Sequence, residues 1–256
     1  MITISVVTIT YNAAEVLQST LDSVMMQDFP HVEHLIVDGA SKDSTVKIAQ
    51  TYKIASDEAE NGHKIRISSE PDGGLYDAMN KGLQRATGDY IVFLNAGDCF
   101  PAADTLELVA LAAEAGDGEE RPAVLYGDTD IVDENGNFLF HRHLQPPENL
   151  TWESFKDGML VCHQAFYARL DIARSIPYDT HFRYSADVDW CIRVMKAGQE
   201  QGLLLRNIHA VVAYYMQEGQ TTIHHRASLI ERFRVMCRHY GIFTTLLKHL
   251  WFIVRK

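Results

Sequence analysis

Residues 90–98 read YIVFLNAGD, an apolar run that leads directly into a polar turn. The first five residues have the length and composition of a buried strand, and Asn95-Ala-Gly-Asp98 follows at once. In open sheets of parallel strands, ligands bind beyond the carboxyl ends of the strands. The stretch therefore predicts that Asp98 lies at a binding site on the rim of such a sheet.

The pattern of a strand followed by polar residues occurs three more times in the first 100 residues. Polar, mostly glycine-containing segments follow predicted strands at 4–9, 34–37 and 65–68. Apolar residues at helical spacing predict helices between the strands, at 14–26, 43–56 and 76–86. This alternation indicates a mostly parallel sheet with helices on both faces. Four polar segments at one rim are better explained by a binding cleft than by four unrelated loops.

The second half of the chain shows a different pattern. Strands are predicted at 124–126, 127–132 and 161–167, and Asn135-Gly136 indicates a tight hairpin before residues 138–140. Helical spacing begins at Ala186 and returns at 227–240. We therefore expect an α/β domain followed by a C-terminal helical segment.

The composition argues against several classes of protein. A net charge of −11 disfavours a general nucleic-acid binder, which needs a basic face. The chain has no Gly-x-Gly-x-x-Gly after its first strand and no Gly-Lys-Ser/Thr segment, so dinucleotide and P-loop sites are poor candidates. Four widely spaced cysteines predict reduced thiols in a cytoplasmic protein. The first ten residues lack the features of a signal peptide and are predicted to be a strand.

Four features, taken in order, carry a resemblance to a known family. They are Thr8-Ile-Thr-Tyr-Asn12, Asp38-Gly-Ala-Ser-Lys-Asp-Ser-Thr45, Asp98 at a strand end, and Asp187-Val-Asp-Trp-Cys-Ile-Arg193. Together they resemble family 2 glycosyltransferases over roughly residues 3 to 220. The Asn-Ala-Gly-Asp segment looks most like bacterial members that build capsule, exopolysaccharide or O-antigen units.

The resemblance implies the GT-A fold, a Rossmann-like α/β architecture with a mostly parallel sheet flanked by helices. It implies inverting transfer of a sugar from a nucleotide-diphosphate sugar, expected to be a UDP-sugar, to a hydroxyl of a glycan or lipid-linked saccharide. A divalent metal, Mn²⁺ or Mg²⁺, is implied as well. We expect residues 1–220 to form the catalytic domain, with the nucleotide sugar on 1–100 and the acceptor on 101–220. Residues 221–256 are expected to form a basic helical extension.

The resemblance also implies roles for individual residues. Asp98 matches the metal-binding acid, while Asn95 and Gly97 stand where the family usually has further acids. Residues at positions that contact the nucleotide are Thr8, Tyr11, Asp38 and Asp72. For each of these the alternative is local structure: a helix cap at Asp98, a turn at Asp38, rim packing at Tyr11.

Asp187 matches the general base of the family. Inverting transfer needs one base to deprotonate the acceptor hydroxyl, and a helix start holds a carboxylate in place. The alternative is that Asp187 only caps its helix, a part that Ser185 could also play. Candidates for contacts with acceptor or metal are His163, Trp190 and His224, and His209 is a weaker candidate for a metal ligand.

Two other functions stay open from the sequence. Asn95 and Gly97 suggest a nucleotide-sugar-binding module without catalysis, because they replace acids of the family pattern. A nucleotidyltransferase would share the sheet, but the Gly-rich basic loop typical of that class is absent after the first strand.

The last 31 residues differ in charge from the rest of the chain. Residues 226–256 hold seven of the 23 basic residues and one of the 34 acidic ones, and residues 242–254 are rich in apolar and aromatic side chains. A basic amphipathic helix of this kind can lie in the headgroup region of a bilayer. We therefore predict peripheral docking on the inner membrane near a lipid-linked acceptor. The alternative is packing on the catalytic domain or on a second copy, so an oligomer stays open.

Overall fold

The first half of the chain alternates strands and helices, as the sequence predicts. The structure, a computed structural model, describes residues 1–114, 116, 120–217 and 225–254. The elements of this half are β1 (Ile4–Thr10), α1 (Leu17–Met25), β2 (Val32–Asp38), α2 (Thr45–Ala59), β3 (Lys64–Ser69), α3 (Leu75–Arg85), β4 (Tyr90–Phe93) and α4 (Thr105–Glu114). Every strand and helix predicted before residue 100 is present, with bounds shifted by a few residues.

The second half extends the sheet and ends in two helices. Its elements are β5 (Val124–Val132), β6 (Phe138–His141), β7 (Phe166–Arg169), α5 (Leu170–Ala173), α6 (Ala186–Glu200), β8 (Leu205–Met216), α7 (His225–Tyr240) and α8 (Ile242–Val254). Two 3₁₀ turns, Trp152–Asp157 and His163–Ala165, precede β7. Within the described ranges, no helix is both long and apolar enough to cross a membrane.

All the strands belong to one mixed sheet, in the order β3-β2-β1-β4-β7-β5-β6, with β8 also paired to β5. β1 to β4 run parallel to one another, β7 is antiparallel to β4 and β5, and β8 is parallel to β5. Every residue of β1 and β2 is buried, which is typical of parallel strands covered by helices on both faces. The carboxyl ends of β1 to β4 consequently meet at one rim.

Three features of the second half differ from the prediction. The strand expected at 161–167 is a 3₁₀ turn followed by β7, because Ala165 N donates to Cys162 O and tightens the chain. Residues 124–132 form one strand instead of two. β8 has no counterpart in the prediction, because its pairing with β5 shifts register twice and His209 has a positive φ of 58°. Such irregularities break the alternation that identifies a strand.

Asp189 joins helix α6 to helix α7. Its carboxylate is fully buried and accepts from Arg193 Nε at 2.7 Å, one helical turn away. From α7, His239 Nε2 lies 2.8 Å and Arg238 Nη1 3.3 Å from the same carboxylate. Burial alone raises the pKa of Asp189, but the His239 hydrogen bond and Arg193 outweigh it and hold that pKa below its ordinary value. The carboxylate therefore stays charged and fixes α7 against the domain.

We expect Asp189→Ala to lower the free energy of unfolding by about 1–3 kcal/mol, because it leaves the partly buried Arg193 and His239 without their hydrogen-bond acceptor. In urea titrations the loss should be full at neutral pH. It should shrink as the pH falls below the ordinary carboxyl range, because a carboxyl with a lowered pKa stabilises the fold only while ionised. Asp57→Ala is the matched control, since its exposed pair with Lys53 is worth roughly 0.5 kcal/mol. Equal losses in the two variants would contradict this account of Asp189.

Candidate functional site

Asp98 lies in the turn after β4, where the sequence places it. Gln164 Nε2 donates to Asp98 Oδ2 at 2.8 Å, and the backbone N–H of Met216 lies 3.4 Å from Oδ1. Burial raises the pKa of Asp98 to about 6, against the lowering effect of Gln164, His163 and Met216. A buried carboxylate of this kind gains most from a bound cation, which would favour its charged form.

Gly97 is required by the geometry of the same turn. Its φ is +101°, and a Cβ there would lie 2.7 Å from the end of the Met216 side chain. An aspartate at this position would be strained as well as crowded. The chain therefore has a physical reason for departing from the acid-rich family pattern at residue 97.

Asp187 stands in the first turn of α6, on the other side of His163 from the turn that carries Asp98. Tyr76 donates its hydroxyl to Asp187 Oδ1 at 3.1 Å, and His163 Nδ1 lies 3.6 Å from Oδ2. Burial raises the pKa of Asp187, but the hydrogen bond and the charge of His163, with Arg232, bring it below the ordinary value. The side chain keeps 18% of its surface exposed, so an ionised carboxylate is within reach of a ligand.

His163 connects the two carboxylates. Its Nε2 lies 3.0 Å from Asn95 Nδ2, in the turn that carries Asp98, and its Nδ1 faces Asp187. Asn95 Oδ1 is buried without a hydrogen-bond partner in this arrangement, so the amide can present either its NH₂ group or its oxygen to Nε2. Asn95 thus has a local part in the site although it is not an acid.

Sequence reasoning missed two side chains of this cluster. Tyr76 opens α3 and Gln164 directly follows His163, but neither residue type nor spacing marked them. Tyr76 is buried and stacks on Tyr178 with ring centroids 5.7 Å apart, which aims its hydroxyl at Asp187. The Asp98 hydrogen bond of Gln164 depends on the 3₁₀ turn at His163–Ala165, which replaced the expected strand.

Tyr11, Gly39 and Asp72 form an open part of the rim beside this cluster. Tyr11 is 65% exposed, and Asp72 accepts from the backbone N–H of Gly74 at 2.8 Å. A Cβ on residue 39 would lie 2.6 Å from Asp72 Oδ2 and 3.2 Å from the Tyr11 ring. Glycine at this position is what lets the aromatic ring and the carboxylate stand side by side.

The expected nucleotide contact of Thr8 is not available, because its hydroxyl is used inside the sheet. Thr8 is fully buried, donates to Leu94 O at 2.8 Å and lies 2.9 Å from His34 Nε2. Burial lowers the pKa of His34 to about 3, so the ring is neutral. Its Nδ1 lies 2.8 Å from the Tyr52 hydroxyl, which completes a hydrogen-bonded chain from α2 to β4.

Asp38 also differs from the expectation of a direct nucleotide contact. It is 1% exposed, and its carboxylate accepts from the Thr10 hydroxyl, the Ser69 hydroxyl, and both the backbone N–H and the hydroxyl of Ser41. Burial raises its pKa, but these hydrogen bonds together lower it below the ordinary value. In this geometry Asp38 ties the ends of β1, β2 and β3 together.

The remaining candidates are resolved in part. Trp190 is fully buried, donates Nε1 to Ile176 O at 2.8 Å and stacks on Tyr178, so the suggested acceptor contact is wrong. His209 lies 3.6 Å from Glu148. It stands seven residues before Met216 in β8, about 20 Å along the strand, and is therefore far from Asp98, which lies beside the Met216 N–H. His224 lies outside the described residues.

The sheet and its rim together define a class of protein, the GT-A-type glycosyltransferases. The chain belongs to glycosyl transferase family 2, whose family model matches residues 5–182. This confirms the family and the fold predicted from the sequence, and it removes the nucleotidyltransferase alternative.

Two relatives illustrate the similarity in sequence. The chain is 36% identical over 218 residues to the PGL/p-HBAD biosynthesis glycosyltransferase of Mycobacterium bovis, covering 84% of this chain and 77% of that protein. It is 29% identical over 225 residues to the amylovoran biosynthesis glycosyltransferase AmsB of Erwinia amylovora, covering 84% and 72%.

Two solved structures illustrate the similarity in fold. S. aureus TarS 1-349 in complex with UDP has a TM-score of 0.67 at 18% identity, covering 92% of this chain and 64% of that one, which is less than two thirds of TarS. The mannosyltransferase PcManGT from Pyrobaculum calidifontis, in complex with GDP-Man and Mn²⁺, has a TM-score of 0.67 at 18% identity, covering 97% and 70%.

Proposed function

We propose that this glycosyltransferase moves a sugar from a UDP-sugar, with inversion, to a hydroxyl of a glycan or lipid-linked saccharide in bacterial surface polysaccharide synthesis. The observation that carries the proposal is the position of His163 between the two acids: Nε2 lies 3.0 Å from Asn95, in the turn that carries Asp98, and Nδ1 lies 3.6 Å from Asp187. The Asp98 carboxylate suits a metal-bound diphosphate, and the Asp187 carboxylate suits the attacking hydroxyl. The names of the two relatives, which refer to the biosynthesis of PGL/p-HBAD and of amylovoran, support the choice of product class.

Inversion is supported by the different surroundings of the two acids in the first turn of α6. A single displacement needs one base near the anomeric carbon. Asp187 is partly exposed at the cleft, whereas Asp189 is fully buried and held by Arg193 and His239. Asp189 is therefore not placed to act as a second catalytic carboxylate beside Asp187.

The residues present suit a divalent cation that the substrate helps to hold. No cluster of three His, Cys, Asp or Glu residues occurs in the parts of the chain that the structure describes. Mg²⁺ is commonly bound by one or two carboxylates together with substrate phosphates and water, and Asp98 offers one such carboxylate. When bound, the ion would neutralise charge on the departing diphosphate. Asp98 would hold it, and Gln164 would orient Asp98.

The nucleotide is proposed to lie along Tyr11, Gly39 and Asp72, with the first 100 residues as the donor half and residues 101–220 as the acceptor half. An exposed aromatic ring beside a carboxylate can stack on a base and accept from its polar edge. We propose a cytoplasmic location, which the four free cysteines support.

Thermal stabilisation by nucleotide sugars tests the donor assignment. UDP-glucose, UDP-N-acetylglucosamine and GDP-mannose should each be added with and without Mn²⁺. We expect the UDP-sugars to raise the melting temperature in the presence of Mn²⁺ and GDP-mannose to have less effect. Slow hydrolysis of the stabilising donor would then exclude a binding module without catalysis. Stabilisation by GDP-mannose alone would overturn the choice of uridine.

Tyr11→Ala is expected to weaken UDP-sugar binding roughly fivefold to a hundredfold, because stacking on a base is worth about 1–3 kcal/mol. The variant should fold normally, since the side chain is 65% exposed. Tyr11→Phe keeps the ring and serves as the matched control. Isothermal titration with UDP gives the affinities, and equal binding by the alanine variant and the wild type would place the base elsewhere.

A further inference from the structure

Helix α8 presents its apolar face to solvent. Six large apolar residues are exposed along it: Ile242, Phe243, Leu246, Leu247, Leu250 and Trp251. At 100° per residue they share one half of the helix circumference. We call this set the apolar stripe. A surface helix normally turns its apolar face toward the core, but α8 turns its apolar face toward solvent.

The polar face of α8 is the one that packs on the domain. Thr245 is fully buried and donates to Gly241 O at 2.8 Å. Lys248 pairs with Asp157, and the His249 ring packs edge-on against Phe233 of α7 at 5.1 Å. Because these contacts fix the opposite face of α8 against the domain, the apolar stripe must face outward.

A bilayer surface suits the apolar stripe, because a single helix face can be buried at the headgroup boundary. A second copy of the chain is the competing occupant, and light scattering distinguishes the two.

The charge of the C-terminal segment favours an anionic lipid surface. Residues 226–256 contain seven basic residues and one acidic residue in a chain whose net charge is −11, and two of the seven, Arg238 and Lys248, already pair with Asp179 and Asp157. On α7, Arg226 and Arg234 are exposed, and they share a helix face with exposed Leu229 and Ile230. Basic residues near an anionic membrane add to the attraction that buried apolar side chains provide.

We propose that the apolar stripe of α8 docks this protein on the surface of an anionic membrane. Helix α7, which directly precedes the docked helix, is hydrogen-bonded to the start of α6. Ser185, before α6, donates to Ser228 O of α7 at 3.2 Å, and Glu231 accepts from the backbone N–H groups of Arg183 and Tyr184. Docking would therefore hold α6, which carries Asp187, at a fixed distance from the lipid. That the acceptor is itself lipid-linked rests on the proposed function.

Vesicle flotation with the full chain tests the docking. At low salt the wild type should float with vesicles of phosphatidylcholine and phosphatidylglycerol, and much less with phosphatidylcholine alone or at high salt. Leu247→Glu should reduce the bound fraction about tenfold or more, because it removes a leucine that docking would bury in the bilayer and adds a negative charge that anionic lipid repels. Leu111→Glu is the matched control, since Leu111 of α4 is 60% exposed and Leu247 is 69% exposed. It should float like the wild type.

Three results would overturn the proposal. The first is the absence of wild-type flotation at low salt, and the second is equal flotation of Leu247→Glu. The third is a wild-type dimer in light scattering that Leu247→Glu converts to a monomer without any vesicle binding, which would assign the stripe to a second copy. No nucleotide sugar is present in the assay, so failure here leaves the proposed transfer reaction untouched, and failure of transfer leaves the docking untouched.

Discussion

Asp187→Asn is expected to lower turnover at saturating donor and acceptor by on the order of 10² to 10⁴, while donor affinity stays near that of the wild type. The amide keeps the size of the carboxylate and can still accept from Tyr76, but it cannot take the proton of the acceptor hydroxyl. The loss should therefore appear in kcat more than in the dissociation constant of the donor. Initial rates and donor titrations on the same preparation measure both.

Tyr76→Phe provides the graded control for Asp187. It removes one hydrogen bond from the carboxylate without removing the base, so a loss of about tenfold or less is expected. Tyr76 would then count as a positioning residue. If Asp187→Asn instead abolished donor binding while turnover at saturation was preserved, Asp187 would be a binding residue and the base would have to be sought elsewhere.

Asp98→Asn is expected to remove metal-dependent donor binding and to reduce transfer by on the order of 10³, because the ion that neutralises the diphosphate loses its protein carboxylate. The wild type in EDTA should behave like this variant. Full activity of the wild type in EDTA, or of the variant with Mn²⁺, would show that Asp98 does not hold a metal.

The unfolding temperature of Asp98→Asn distinguishes the loss of metal binding from misfolding. Burial raises the pKa of Asp98 to about 6, so at neutral pH its ionised form costs folding free energy until a cation is bound. Asp98→Asn carries no such charge, and without metal it should unfold at the same temperature as the wild type or higher. A variant that is both inactive and markedly less stable would point to a structural role for Asp98.

The parallel half of the fold could be predicted because its strands are simple. β1 and β2 are buried along their whole length and helices separate them, so apolar runs and helical spacing identify both kinds of element. β8 escaped prediction because its pairing with β5 depends on register shifts and on the positive φ of His209. Those features depend on the partner strand, which the local sequence does not contain.

The positions of Asp98 and Asp187 could be predicted because strand ends and helix starts place carboxylates at a rim, while their roles stay predictions. The burial of Thr8 and Asp38 was not predicted, because residue type does not say which way a polar group turns. Each is hydrogen-bonded to neighbouring strands or to its own turn. Tyr76 was missed because its contact with Asp187 spans 111 residues of sequence.

The buried charge of Asp189 sets where this chain can be shortened or exchanged with that of a relative. The family match stops at residue 182, but α6 begins at Ala186, and its buried carboxylate is met by Arg238 and His239 some fifty residues later. A chimera joined after β8 would keep the buried carboxylate of Asp189 but lose its partners Arg238 and His239. The first junction that keeps α6 together with these partners falls after Tyr240, so chimeras between family members should exchange residues 186–240 as one unit.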